Sequence, residues 1–309
     1  MRNVYLVWLE WPEKCFRVDA EALSYLKKAV PRGSEVVRAK TRRGFLAALP
    51  RATHVITWFF DREWYAKAPR LKVLATPSAG QELLPHPPPP GIEIHHGRYH
   101  GEIMAETVAG FMLSWCHGFF ERRRYPGLSW PRTELGGKCR QLAGTRAAVV
   151  GYGNVGRAIG AKLKSLGVEV EGFRRANIGK LASSVKDIDW LVMVLPCTAG
   201  TDDMLNAALI RRLPRKCVVI NVGRGNSIDE DALLSALRGG RIAGAYLDVI
   251  KDEPSAGAVP CSVISRELAK GAAARSDLPE NLVLMPHSSA FSPDYIKRCF
   301  MELKDDGLI

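Results

Sequence analysis

The tightest constraint on the fold is local. The apolar run Ala147–Val150 leads without a break into Gly151-Tyr152-Gly153-Asn154-Val155-Gly156, and a helix-compatible stretch, Gly156–Leu166, follows. A strand that turns this sharply into a helix needs backbone conformations and close approaches that glycine alone permits. In this setting the first glycine makes the turn, the second lets a pyrophosphate reach the backbone, and the third brings helix onto sheet. The helix N-terminus then faces the anion. Gly151, Gly153, Asn154, Val155 and Gly156 are therefore candidates for binding a dinucleotide.

The chain around this turn has an alternating rhythm. Before it, candidate elements fall at Val4–Trp8, Ala20–Ala29, Glu35–Val37, Phe45–Leu49, His54–Trp58 and Leu71–Ala75. The proline run Pro87–Pro90 is then a rigid extended loop before Ile92–His95, because proline lacks a donor and fixes φ. After Leu142 the spacing predicts strands at Val168–Phe173, Trp190–Val194, Val218–Asn221, Gly244–Asp248 and Leu282–Met285. Helices are predicted at Asp203–Arg211 and Asp229–Gly239. Strands separated by helices imply right-handed crossovers and a doubly wound parallel sheet of the α/β class. With 309 residues, 47% of them hydrophobic, two domains are expected, with the crossing near residue 100.

Composition excludes several alternatives. Seven cysteines lie far apart with no Cys-x-x-Cys pair, which disfavours a disulfide framework and a structural zinc and suits a reducing, cytoplasmic setting. His95, His96 and His100 lack a cysteine or carboxylate to complete a metal set, so no metal is expected. The net charge of +12 is dispersed and has no aromatic-basic module beside it, which favours small carboxylates and phosphates over nucleic acid. Met1–Leu9 reads as a strand rather than a signal peptide. The uncharged segment Thr107–Phe120 is too short for a bilayer and reads as a buried or interface helix.

Two further sets of residues suggest chemistry. Eighteen residues beyond Gly156, where an acid would normally accept bonds from ribose hydroxyls, the chain has Arg174 followed by Arg175. A guanidinium pairs with a 2′-phosphate instead, so NADP(H) is expected over NAD(H), although Glu171 is close enough to restore an acid if the register differs. Arg224, in Asn221-Val222-Gly223-Arg224-Gly225, Glu253 and His287 all follow strands, at the sheet edge where such folds bind ligands. If they meet, Arg224 forks a carboxylate and polarises a neighbouring carbonyl, while Glu253 holds His287 protonated as a general acid. Taken singly, each is an ordinary loop residue; their order and flanking motifs carry the inference.

Those motifs are Leu142-Ala143-Gly144-Thr145 before the glycine turn, Leu195-Pro196-Cys197-Thr198, the Arg224 loop, Ala245–Val249 with Glu253-Pro254, and Pro286-His287. Together they resemble the D-isomer-specific 2-hydroxyacid dehydrogenases, most strongly from Leu142 to Ala290, and within them the glyoxylate/hydroxypyruvate reductases. The resemblance implies two Rossmann-like domains with a cleft between them: residues 1–100, with 291–309 returning to it, for substrate, and 101–290 for the dinucleotide. It implies that Arg224 binds a small 2-oxo acid, His287 protonates its carbonyl and Glu253 supports His287. It further implies that Pro196, Val222, Gly223 and Asp248 contact the cofactor, with Asp248 on the carboxamide. Trp58, Ala79 and Gly80 would contact substrate, the last two from Pro77-Ser78-Ala79-Gly80, and the 101–124 helix region would build a homodimer. The Ser255–Pro279 stretch is longer than the family's usual link and is expected to be a mobile insertion. Only 22 residues follow His287, so the closing helices are expected to be short. Two other functions remain open from sequence. One is a catalytically idle nucleotide-sensing protein of the same fold. The other is a dehydrogenase of a phosphorylated hydroxy acid, formate or phosphite.

Overall fold

A computed structural model describes residues 2–124, 127, 130–254, 261–270 and 277–309. The chain divides into two compact units, Met1–His100 with Phe291–Ile309, and Gly101–Ala290. Both are α/β units built on wholly parallel sheets.

The first unit carries β1 (Val4–Trp8), α1 (Ala20–Ala29), β2 (Glu35–Arg38), α2 (Arg42–Ala48), β3 (His54–Thr57), α3 (Trp64–Lys67), β4 (Val73–Thr76) and β5 (Glu93–His96). Its strands are ordered β2-β1-β3-β4-β5. Asp19 and Thr41 cap α1 and α2 by accepting from the amides of Ala22 and Gly44, which is why these helices start where they do. Leu6, Phe45, Val55, Trp64 and Leu74 fill the core. The last helix of the chain belongs to this unit and buries Tyr295, Ile296, Cys299, Phe300 and Leu303, an i, i+4, i+8 stripe, with Lys297 pairing with Glu21 of α1 at 2.6 Å.

The second unit begins within α4 (His100–Cys116) and continues through α5 (Arg132–Gly136), β6 (Arg146–Val150), α6 (Asn154–Ser165), β7 (Glu169–Phe173), α7 (Leu181–Ser184), β8 (Trp190–Met193), α8 (Ala207–Ile210), β9 (Val218–Asn221), α9 (Glu230–Arg238), β10 (Gly244–Leu247), α10 (Val263–Ala269) and β11 (Leu282–Leu284). The closing helix of the chain is α11 (Tyr295–Asp305). The order β11-β10-β9-β8-β6-β7 places a topological switch between β6 and β8. Val218–Asn221 and Trp190–Met193 are buried throughout, as expected of central parallel strands covered on both faces.

Two sequence expectations need correction. The helix expected over Asp203–Arg211 is a single turn, α8, because Asp203 takes a left-handed backbone (φ 47°) and Asn206 starts the helix by accepting from the Leu209 amide. The Ser255–Pro279 stretch is not one loose insertion. Residues 255–260 and 271–276 lie outside the described residues, but between them α10 is capped by Ser262 and buries Ile264 completely. No described helix is long and apolar enough to cross a membrane.

Candidate functional site

At the switch point of the second sheet, the carboxyl ends of β6, β7 and β8 enclose a cavity of about 500 Å³. Gly151, Gly153, Asn154, Arg174, Arg175 and Pro196 line it. Two glycines of the turn are sterically required. Gly151 has φ +95°, and a Cβ there would lie 2.3 Å from the Val194 carbonyl oxygen; one at Gly156 would lie 2.3 Å from the Gly151 carbonyl oxygen. A Cβ at Gly153 meets nothing within 4 Å, so the space beside the N-terminus of α6 is open there, as close approach of a pyrophosphate requires. The cavity therefore fits a dinucleotide. Val155 packs instead into the core beneath the turn, and Gly156 closes helix onto strand; neither is part of the cavity wall.

Arg174 sits at the end of β7. Its Nε donates to the Tyr152 carbonyl at 2.8 Å, and its guanidinium lies 6.0 Å from the Tyr152 ring centroid. Asn177 shapes this corner, accepting from the Arg174 amide at 2.6 Å and donating to the Gly172 carbonyl at 3.0 Å. Glu171 is exposed, accepts from Ser184 Oγ at 3.2 Å, and is not in the cavity wall. Sequence reading missed Arg157, which lines the cavity and donates to Asn154 Oδ1 at 2.6 Å, and Thr201, whose hydroxyl donates to the Pro196 carbonyl at 2.7 Å. The signal for Arg157 was its place directly after Gly156, in the first turn of α6.

Farther along the same sheet edge, β9, β10 and β11 deliver the other residues. Main-chain pairing continues past the strand ends: Asp248 N donates to Asn221 O at 2.9 Å, and His287 N to Asp248 O at 2.8 Å. Arg224, Asp248 and His287 thus leave adjacent strands in register. The Arg224 carbonyl accepts from Asn221 Nδ2 (3.1 Å) and Ser227 Oγ (2.8 Å), and Arg224 Nη1 donates to Gly223 O at 3.0 Å. A Cβ at Gly225 would lie 1.9 Å from the Ile250 carbonyl carbon, so the arginine loop rests directly on the backbone that leads to Glu253. We expect Gly225→Ala to destabilise the fold by about 2 kcal/mol or more, since the obstacle is backbone and cannot rotate away. Chemical unfolding midpoints compared with wild type check this; an unchanged midpoint refutes the close contact.

Glu253 and His287 meet. Glu253 Oε2 lies 2.8 Å from His287 Nδ1, with the two side chains 41% and 48% exposed. That hydrogen bond is the main reason the imidazole titrates above its ordinary range. Burial and the Arg224 charge oppose the shift, while the charges of Glu253 and Asp248 add to it. His287 adopts a left-handed backbone (φ 51°), a conformation in which histidine is enriched among non-glycine residues.

Asp248 also has a structural partner. It is 1% exposed, and its carboxylate accepts from the Ser288 amide at 2.8 Å and the Ser289 amide at 3.0 and 3.1 Å. It thereby holds the His287 loop, as a buried carboxylate must be satisfied by nearby donors. Val222 is buried, and Gly223 presses on Leu195, where a Cβ would lie 2.5 Å from the amide nitrogen; both support the wall beside Pro196 without lining the cavity.

The substrate-binding candidates of the first unit are less open than expected. Trp58, 6% exposed, stacks with Tyr295, contacts Trp11 and Phe16, and spends its indole N–H on the Phe16 carbonyl at 3.2 Å. It is a packing residue here, for an aromatic donor in an apolar setting takes the nearest acceptor. The Gly80 amide donates to Ser78 Oγ at 3.1 Å, whereas Ala79 is exposed. The three histidines do not converge, and His100 bonds to the Tyr295 hydroxyl at 2.8 Å. Carboxylates do stand beside them, however, which corrects the sequence expectation: His95 Nε2 lies 2.8 Å from Glu302 Oε1 and His95 Nδ1 3.5 Å from Asp306 Oδ2, because the fold returns α11 to the end of β5.

Comparison with known proteins identifies the family. Residues 109–289 match the family model described as "D-isomer specific 2-hydroxyacid dehydrogenase, NAD binding domain". A glycerate dehydrogenase of Methylorubrum extorquens is 30% identical over 169 residues, covering 53% of this chain and 49% of that protein. A glyoxylate reductase of Thermococcus kodakarensis is 25% identical over 225 residues, covering 63% and 64%. The chain thus spans about half to two thirds of the length of these relatives. The solved D-isomer specific 2-hydroxyacid dehydrogenase of Xanthobacter autotrophicus, in complex with NADPH and MES, shares the fold with a TM-score of 0.73 at 24% identity, covering 98% and 96%. With the family model matching more than half of its residues, the chain belongs to the D-isomer specific 2-hydroxyacid dehydrogenase family.

Proposed function

We propose that the protein is an NADPH-dependent reductase of small 2-oxo acids of the glyoxylate and hydroxypyruvate type, with residues 101–290 holding the dinucleotide. The observation that carries this is the 2.8 Å Glu253–His287 contact on the same sheet edge as the glycine-turn cavity. Bound nicotinamide supplies a hydride for the carbonyl carbon. His287, held at Nδ1 by Glu253, donates its Nε2 proton to the carbonyl oxygen, giving the 2-hydroxy acid. Arg224 grips the substrate carboxylate and polarises the carbonyl. Within the first unit, Trp58, Ala79 and Gly80 remain the proposed substrate contacts, Ala79 being the exposed one. The 101–124 region, with its apolar helix and exposed Phe119, is the proposed homodimer face.

Arg174 and Arg175 in the cavity wall support the NADPH preference, and Glu171 bonded to Ser184 supports it further. Arg174→Asp is expected to shift the NADPH-to-NADH ratio of kcat/KM by about tenfold or more toward NADH, the loss of one charge-assisted contact. An unchanged ratio places the phosphate contact elsewhere. The function itself is tested by following NADPH and NADH oxidation by absorbance with glyoxylate and hydroxypyruvate. Turnover with NADPH preferred supports it, and cofactor binding without turnover of either acid refutes it.

A further inference from the structure

We propose that Glu230 is a positioning residue for the Glu253–His287 pair: its buried carboxylate holds the Lys251 amide and so fixes the segment that carries Glu253. This rests on the proposed role of His287 as proton donor.

Glu230 is the first residue of α9 and is 4% exposed. A carboxylate in the first turn of a helix is favoured by the helix dipole, yet it ordinarily stays in water. Capping does not require this one, since Asp229 already accepts from the Ala232 amide at 3.0 Å. Glu230 turns instead toward a segment 21 residues away, where Oε1 accepts from Lys251 N at 2.8 Å. Its Oε2 is buried with no hydrogen-bond partner among the described residues, so the placement carries a desolvation cost that local helix structure does not explain.

Three contacts converge on this segment. Glu230 holds the Lys251 amide, and Asp203 Oδ1 holds the Lys251 ammonium at 2.7 Å. The Gly225 backbone meets Ile250 so closely that a Cβ would lie 2.0 Å from its carbonyl oxygen. Glu253 follows Lys251 by two residues, a reach of about 7 Å at most. Its own side chain is 41% exposed, so packing alone does not set its position. A shift at Lys251 therefore passes to Glu253 and changes its hold on His287 Nδ1. The same clamp presses the Glu253 segment onto the loop bearing Arg224, fixing the spacing of carboxylate binder and acid.

The test is a histidine NMR titration of the full chain, with His287 assigned by its loss in His287→Ala, beside steady-state kinetics. Glu230→Ala is expected to move the His287 titration down toward about 6.5, its ordinary value, and to lower kcat about tenfold through misplacement of the pair. NADPH binding should stay unchanged. Glu230→Gln keeps an acceptor for Lys251 N and is expected to restore both quantities. A folded Glu230→Ala protein with a wild-type His287 titration overturns the proposal, as does a Glu230→Gln protein as impaired as the alanine variant. If Glu230→Ala does not fold, hydrogen exchange at the Lys251 amide of the unaltered protein decides: protection supports the clamp and free exchange overturns it. Because the titration needs no turnover, an unaltered protein that reduces no oxo acid refutes the proposed function without touching this test.

Discussion

Replacing His287 with alanine is expected to lower kcat for 2-oxo acid reduction by about 10²- to 10⁴-fold, the range for losing a positioned general acid, while the dissociation constant for NADPH stays within about twofold, since the glycine-turn cavity lies on other loops. The pH dependence carries the sharper information. The acid must be imidazolium, and Glu253 raises its titration, so reduction is expected to hold at low pH and fall as pH rises through the raised His287 value. Glu253→Gln removes the largest cause of that shift and should move the falling limb to lower pH. For stability, the sign is the same. A folded value above the unfolded one means that the pair stabilises the chain below about pH 6.5 and loses that contribution as pH rises through the folded value. With both side chains nearly half exposed, such a pair adds only about 0–1 kcal/mol, so its effect should appear in rate rather than unfolding. A His287→Ala protein as fast as wild type, or a Glu253→Gln profile unmoved along the pH axis, refutes the assignment.

Arg224→Ala is expected to lower kcat/KM by about 10²-fold or more, the loss of roughly 3 kcal/mol from a charge-assisted fork on the substrate carboxylate. Lysine should not rescue it, because an ammonium lacks the planar pair of donors. The backbone of this loop is held by Asn221 and Ser227, so the truncation should leave the loop in place. Arg224 also opposes protonation of His287, and its removal should move the falling limb of the pH profile upward, opposite to the Glu253→Gln shift. Opposite displacements in the two variants distinguish one interacting site from two independent defects. Equal kinetics for Arg224→Ala and wild type, or a limb that moves down in both, would exclude the proposed role.

Asp248 and Glu230 bear on these outcomes because both hold the backbone of loops at the sheet edge. Asp248 fixes the His287 turn through the Ser288 and Ser289 amides, and Glu230 fixes the approach to Glu253. The side chains of Arg224, Glu253 and His287 remain partly exposed while their backbones are held from below. In the proposed reaction, that division lets the imidazole and guanidinium meet a ligand without having to be ordered by it.

Local chemistry made much of this legible in sequence. The Gly151 turn, the strand and helix alternation, and the order of Arg224, Glu253 and His287 after successive strands depend on neighbours along the chain. Side-chain period, capping and the need for positive φ act over a few residues, so they can be read one segment at a time. Trp58, Asp248, Gly225 and Glu230 could not be read that way. Trp58 spends its donor on Phe16 and Asp248 its carboxylate on Ser288 and Ser289. Gly225 is required by the Ile250 backbone and Glu230 is drawn inward by Lys251. In each case the partner lies 21 to 42 residues away. The sequence by itself therefore determined the architecture and the kinds of groups at the sheet edge. The tertiary structure alone decided which of those groups stay partly exposed and which are spent on holding the loops, because a buried donor or acceptor must be satisfied by whatever the fold brings within about 3 Å.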